Sequence, residues 1–131
     1  MESNQSYMYD KACYQMYKTC GIRFAAIINK RGRKIAGGFS SKVIPLEKNE
    51  KKLEMLFMEM ALDLSMRSEF NNSLGKMMAI VSFRDKTNVI TIPHGDNFML
   101  ISSEPELDSQ KVIEIAYHNL SPSRIMEAIT H

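Results

Sequence analysis

The stretch that decides the fold runs Gly21-Ile22-Arg23-Phe24-Ala25-Ala26-Ile27-Ile28-Asn29-Lys30-Arg31-Gly32-Arg33-Lys34-Ile35-Ala36-Gly37-Gly38-Phe39. Residues 22–28 form a nearly continuous apolar run of strand length. Such a run suits a strand buried on both faces and therefore central in its sheet. Asn29-Lys30-Arg31-Gly32 is turn chemistry, and residues 33–39 read as a weaker second strand. Glycines and flanking charges fit that second strand to a sheet edge, so the stretch predicts a β-hairpin.

On the N-terminal side, Tyr9, Cys13, Met16, Tyr17 and Cys20 form one stripe of an amphipathic helix over residues 6–20. Gly21 follows as a natural stop. On such a helix the two cysteines would lie about 10.5 Å apart on one face, too far for a disulfide. They read as two small buried hydrophobes, since neither CxxC nor Cys/His spacing accompanies them.

On the C-terminal side a helix is expected from about Leu46 to Ser68, with Pro45 near its start. At 100° per residue, Leu53, Leu56, Phe57, Met60, Ala61 and Leu64 make one apolar arc. Opposite lies a second arc of Met55, Met58, Leu62 and Met66, separated from the first by polar seams. A helix on a sheet needs one apolar stripe; the second calls for another covering surface.

Past the polar link Arg67–Lys76, strands are expected at Met77–Phe83, Asn88–Pro93 and Asn97–Ser102. Their short connections require an antiparallel meander, with Pro93 ending the middle strand. Asp108 is expected to cap a helix of roughly residues 109–119, and one more short helical piece is expected at Arg124–Thr130.

The order is helix-β-β-helix-β-β-β-helix, an α+β chain with a five-stranded antiparallel sheet and helices on both faces. The buried first strand belongs beside the last, which gives the spatial order 2-1-5-4-3. That order leaves Met77–Phe83 on an edge, and an apolar edge is an aggregation hazard unless something pairs with it. Two copies joined edge to edge, with their long helices packed, would cover both features. The expected homodimer interface comprises Met55, Met58, Leu62, Met66, Met77, Ala79 and Val81.

Composition agrees with one domain over 1–131, its core at about 6–120 and a short tail at 121–131. The chain has 131 residues, 44% hydrophobic and 24% charged, the balance of an ordinary globule. Its longest apolar runs fall far short of the ~20 residues of a membrane span. The polar N-terminus does not read as a signal peptide, so a cytoplasmic location is expected. Methionine is unusually frequent, at 11 residues against no tryptophan.

Charge is polarised. Residues 1–45 hold eight Lys/Arg against two acids, and residues 96–131 hold two against six. A basic front and an acidic back orient a partner or a second copy. Arg23, Lys30, Arg31, Arg33 and Lys34 form the one concentrated patch, suited to an acidic partner. Nucleic-acid binding through residues 30–34 is disfavoured by the lack of interleaved aromatics and by the acidic second half.

No catalytic, cofactor or metal site is expected. His94, His118 and His131 stand without HExxH or a carboxylate cluster. His94 and Asp96 read as turn residues, and no nucleophile elbow or phosphate loop is present.

The element order resembles the roadblock/dynein-light-chain family, which has a profilin-like fold. Residues 21–32 look like that family's opening strand, turn and glycine. Ile92-Pro93-His94-Gly95-Asp96-Asn97-Phe98-Met99-Leu100-Ile101 looks like its penultimate turn and final strand. Gly21–Phe39, Ser73-Leu74-Gly75 and Ser103-Glu104-Pro105-Glu106-Leu107-Asp108 are also similar to small uncharacterised proteins of ammonia-oxidising archaea. The roadblock resemblance implies a non-catalytic homodimer or heterodimer that scaffolds or regulates small Ras-like GTPases. A ligand sensor built on a profilin-like sheet is the alternative, because Met-rich walls adapt to small molecules.

Overall fold

The computed structural model describes residues 2–121. Its elements are α1 (Glu2–Met16), β1 (Ile22–Ile28), β2 (Lys34–Phe39), α2 (Glu50–Ser68), α3 (Asn71–Leu74), β3 (Ile80–Phe83), β4 (Asn88–His94), β5 (Asn97–Ser103) and α4 (Ser109–Leu120). The five strands form one antiparallel sheet in the order β2-β1-β5-β4-β3. The expected α+β architecture and strand order are therefore what the chain adopts.

β1 is central because its side chains are apolar in both directions. Ala25 and Ile27 point into a core shared with α1 and α4, including Cys13, Met16, Val112 and Ala116. Phe24, Ala26 and Ile28 point the other way, against Phe57, Ala61 and Leu64 of α2. One face of the sheet thus carries two helices and the other carries one.

Several boundaries differ from the pattern, each for a local reason. α1 ends at Met16, because Tyr17, Lys18 and Thr19 donate back three residues to Tyr14, Gln15 and Met16 and tighten the exit. Gly21 then turns the chain at φ 102° into β1. Cys20 consequently lies off the helix and exposed, and only Cys13 is buried, correcting the reading of two buried thiols. α2 starts at Glu50 rather than near Leu46: the Asn49 side chain accepts from Lys52 N at 3.1 Å and caps it. Pro45 therefore belongs to the loop.

β3 begins at Ile80 rather than Met77, whose N–H donates to Asn71 Oδ1 instead of a strand. The polar link also contains the one-turn α3. Pro93 does not end β4, which continues to His94. It is tolerated because β3 reaches only to Thr91, so Pro93 has a neighbour on the β5 side alone. Asp108 caps α4 as expected, accepting from Gln110 N at 3.0 Å. The helical reading of Arg124–Thr130, and His131, lie outside the described residues.

Candidate functional site

The two arcs of α2 separate as the periodicity requires. Phe57, Ala61 and Leu64 are buried on the sheet, with Leu53 and Met60 packed beside them. On the outer side Met55, Met58, Leu62 and Met66 are between 54% and 69% exposed. No described element packs over their outer surface, although Met58 rests on Gly32 of the β1–β2 turn. Burying a side chain of this size is worth about 1.5–3 kcal/mol, so four left in water are an unused source of binding energy.

The sheet has two edges, and they are treated differently. Along β2, the Asp10 carboxylate of α1 accepts from Gly37 N at 2.9 Å. The Tyr17 hydroxyl donates to Gly38 O and Ala25 O. Gly37 is required there, because a Cβ would overlap Ala25 O and sit 2.8 Å from Cys13 Sγ. Asp10 of α1 and Tyr17 just beyond it thus occupy the Gly37 and Gly38 backbone groups of β2. Among the described residues only β4 pairs with β3, leaving its other side as a strand edge. An unpaired row of N–H and C=O groups templates another strand.

Around β3 the expected interface residues divide between the two faces. Met77 packs on the α2 side, whereas Ala79 and Val81 are half-buried against the α1–α4 core. The structure adds four residues that the pattern did not single out. Phe70 (57% exposed), Leu74 (80%), Met78 (57%) and Phe83 (75%) ring this edge. Phe70 and Leu74 lie in the polar link, where two large apolar residues are themselves a signal. An open groove of about 620 Å³ runs beside them between α2, α3 and β3.

The basic patch is smaller than the sequence reading of five residues. Lys30, Arg31, Arg33 and Lys34 cluster, exposed, at the β1–β2 turn. Arg23 stands apart: its guanidinium bonds Glu104 at 2.7 Å and Ile44 O at 2.7 Å, tying β1 to two loops. The turn itself is braced, since Asn29 Oδ1 accepts from Arg31 N and Arg33 N. Gly32, between those arginines, is buried against α2. A Cβ there would lie 2.7 Å from Met58 Cα.

Titratable chemistry is sparse. Burial, then the nearby Asp10 charge, pushes the Cys13 thiol up to about 12, which makes it inert. The His94 ring meets Tyr9 edge-on at 5.8 Å, and burial followed by the Lys76 charge lowers its pKa. Among the described residues no group of three or more His, Cys, Asp or Glu could hold a metal. No helix among them is long and apolar enough to cross a membrane.

Residues 1–122 match the Family of unknown function DUF6659. The chain belongs to that family. A comparison with curated proteins gives no significant match. Among solved structures, this DUF6659 chain is similar to a Roadblock/LC7 domain from Streptomyces avermitilis, with TM-score 0.68 and 8% identity over 93% of this chain and 98% of that one. It is also similar to the gliding protein MglB from Thermus thermophilus, with TM-score 0.70 and 14% identity over 95% and 93%; an MglB structure with a tetrameric arrangement is known. Profilin II from Acanthamoeba castellanii superposes with TM-score 0.60 and 9% identity over 91% and 98%. At these identities the likeness establishes the fold, which is roadblock-like and profilin-like. The resemblance to proteins of ammonia-oxidising archaea draws no support from these structures.

Proposed function

We propose that this chain is a single-domain, non-catalytic interaction module that works as a homodimer. One observation carries the proposal: α2 has two apolar arcs on opposite sides, and only one of them is buried among the described residues. Pairing of two β3 edges would join the sheets and bring the α2 helices of both copies to the same side. Met55, Met58, Leu62 and Met66, with Met77, Ala79 and Val81 at the edge, are the residues we assign to that interface. The contact would be two-fold, each patch meeting its own copy. The capped β2 edge favours β3 as the joining edge.

The roadblock-like fold supports a scaffolding or regulatory role. A small Ras-like GTPase is the partner class that the family resemblance implies, and a cytoplasmic site of action belongs to the same reading. The test is molar mass by light scattering at micromolar concentration. The chain is expected at twice its 15.0 kDa mass, and the Met58→Glu, Leu62→Glu double variant at the monomer mass. A monomeric parent would refute the homodimer. An unaltered mass for the folded variant would remove this arc from the interface.

A further inference from the structure

A second surface lies on the hairpin flank of α2, within one copy; Met58 of the outer arc stands at its border. A groove of about 770 Å³ separates the β1–β2 hairpin from the N-terminal half of α2. Its floor is apolar and partly aromatic. Phe24 stacks edge-on with Phe39 at 4.8 Å and lies 5.9 Å from Phe57, with Leu53 alongside. The groove exists because a single helix cannot cover both outer strands of a five-stranded sheet. On the β2 side Gly38 supplies no side chain to fill it.

Its two banks carry opposite charge. Arg31, Arg33 and Lys34 line the hairpin bank, while Glu50 and Glu54 line the α2 bank. None of these five side chains joins an ion pair among the described residues. The turn that carries the arginines has a braced backbone. Their backbone N–H groups are tied to Asn29 Oδ1 at 2.9 and 3.0 Å, and the glycine between them is pressed onto Met58. The groove is therefore a preorganised apolar trough with a cationic bank and an anionic bank facing across it.

We propose that this groove docks a short peptide segment of a partner protein, carrying an apolar anchor next to one or two carboxylates. The anchor would sit over Phe24, Phe39 and Leu53, with its carboxylates toward Arg31 and Arg33. Bidentate pairing with a planar carboxylate is what a guanidinium is shaped for. Glu50 and Glu54 would accept from the segment's backbone N–H groups or from a basic side chain on its other flank. The same two glutamates argue against a nucleic acid or another polyanion, which would meet repulsion along the whole α2 bank. The surface goes beyond the homodimer reading and does not depend on it.

The probe is a labelled ten-residue peptide with phenylalanine and leucine beside two glutamates in an otherwise glycine and serine sequence, titrated with the full chain by fluorescence anisotropy. Saturable binding is expected, weakened tenfold or more by the Arg31→Glu, Arg33→Glu double variant. A Lys18→Glu, Lys111→Glu variant, with the same change in net charge elsewhere, should bind as the parent does. A peptide with serine in place of the apolar residues should bind at least tenfold more weakly. Both charge variants change exposed residues only, and circular dichroism checks that each is folded. No saturable binding, equal loss in both charge variants, or equal affinity for the serine peptide or polyglutamate would overturn the proposal. A monomeric mass in light scattering would leave this result standing, so the two readings fail separately.

Discussion

The two faces of the sheet solve the same covering problem with different amounts of material. Five strands about 4.8 Å apart span roughly 19 Å between their outer axes. One helix with its side chains is about 10–12 Å wide. Where α1 and α4 lie side by side, the face is covered, and fifteen buried residues among those described form one core. Where α2 lies alone, eight are buried, and grooves remain on both of its flanks. The first face is closed among the described residues, and the second leaves large apolar side chains in water.

Point substitution is the sharpest way to break this contrast. Ile27→Ala on the two-helix face removes a fully buried side chain. It should cost about 2–5 kcal/mol in urea unfolding, because the packed surroundings close only part of the cavity. Leu62→Ala on the outer side of α2, measured at a dilution where the chain is monomeric, should stay within about 0.5 kcal/mol. Equal costs would mean that the two faces do not differ as described.

Thiol chemistry sharpens the contrast without mutation. With Cys13 raised from an ordinary 9.0 to about 12, its thiolate population is reduced about a thousandfold. A disulfide reagent should therefore modify Cys20 promptly in the native protein and Cys13 only after unfolding. Two fast thiols would show that the α1 layer opens readily.

The smallest expected effect is at the rim of the same face. The folded-state pKa of His94 lies below its ordinary value of about 6.5, through burial and then Lys76. The unfolded chain therefore binds a proton more readily than the folded one in the window just below pH 6.5. Stability should be full above that pH and decline as the pH falls toward the lowered folded value. In a series of melting temperatures between pH 7.5 and 5, His94→Gln should flatten this part of the profile. A parallel slope in both proteins would assign the decline to other groups.

Much of this was legible in one dimension. The run Ile22–Ile28 announced a doubly buried strand, the short links after Phe83 announced a meander, and the 100° spacing of α2 separated its two arcs. Each is a local repeat or a short connection, which chain geometry converts directly into placement. The strand order followed from placing the doubly apolar β1 inside the sheet, beside the last strand.

What the sequence could not determine depends on groups far apart along the chain. Cys20 shared the spacing of a helical stripe, but the turn that carries the chain into β1 took it off the helix. Arg23 belonged by charge to the basic turn, yet its partners are Glu104 and Ile44, at the opposite end of the strand. That the β2 edge is capped rests on Asp10 meeting Gly37, and the braced groove rests on Gly32 meeting Met58. By itself the sequence determined the elements, their faces and their order, because periodicity and link length are properties of neighbours. Only the tertiary structure decided which edge is occupied, which charges are already paired and where α2 leaves the sheet uncovered. Those depend on distances between residues that the chain brings together only by folding.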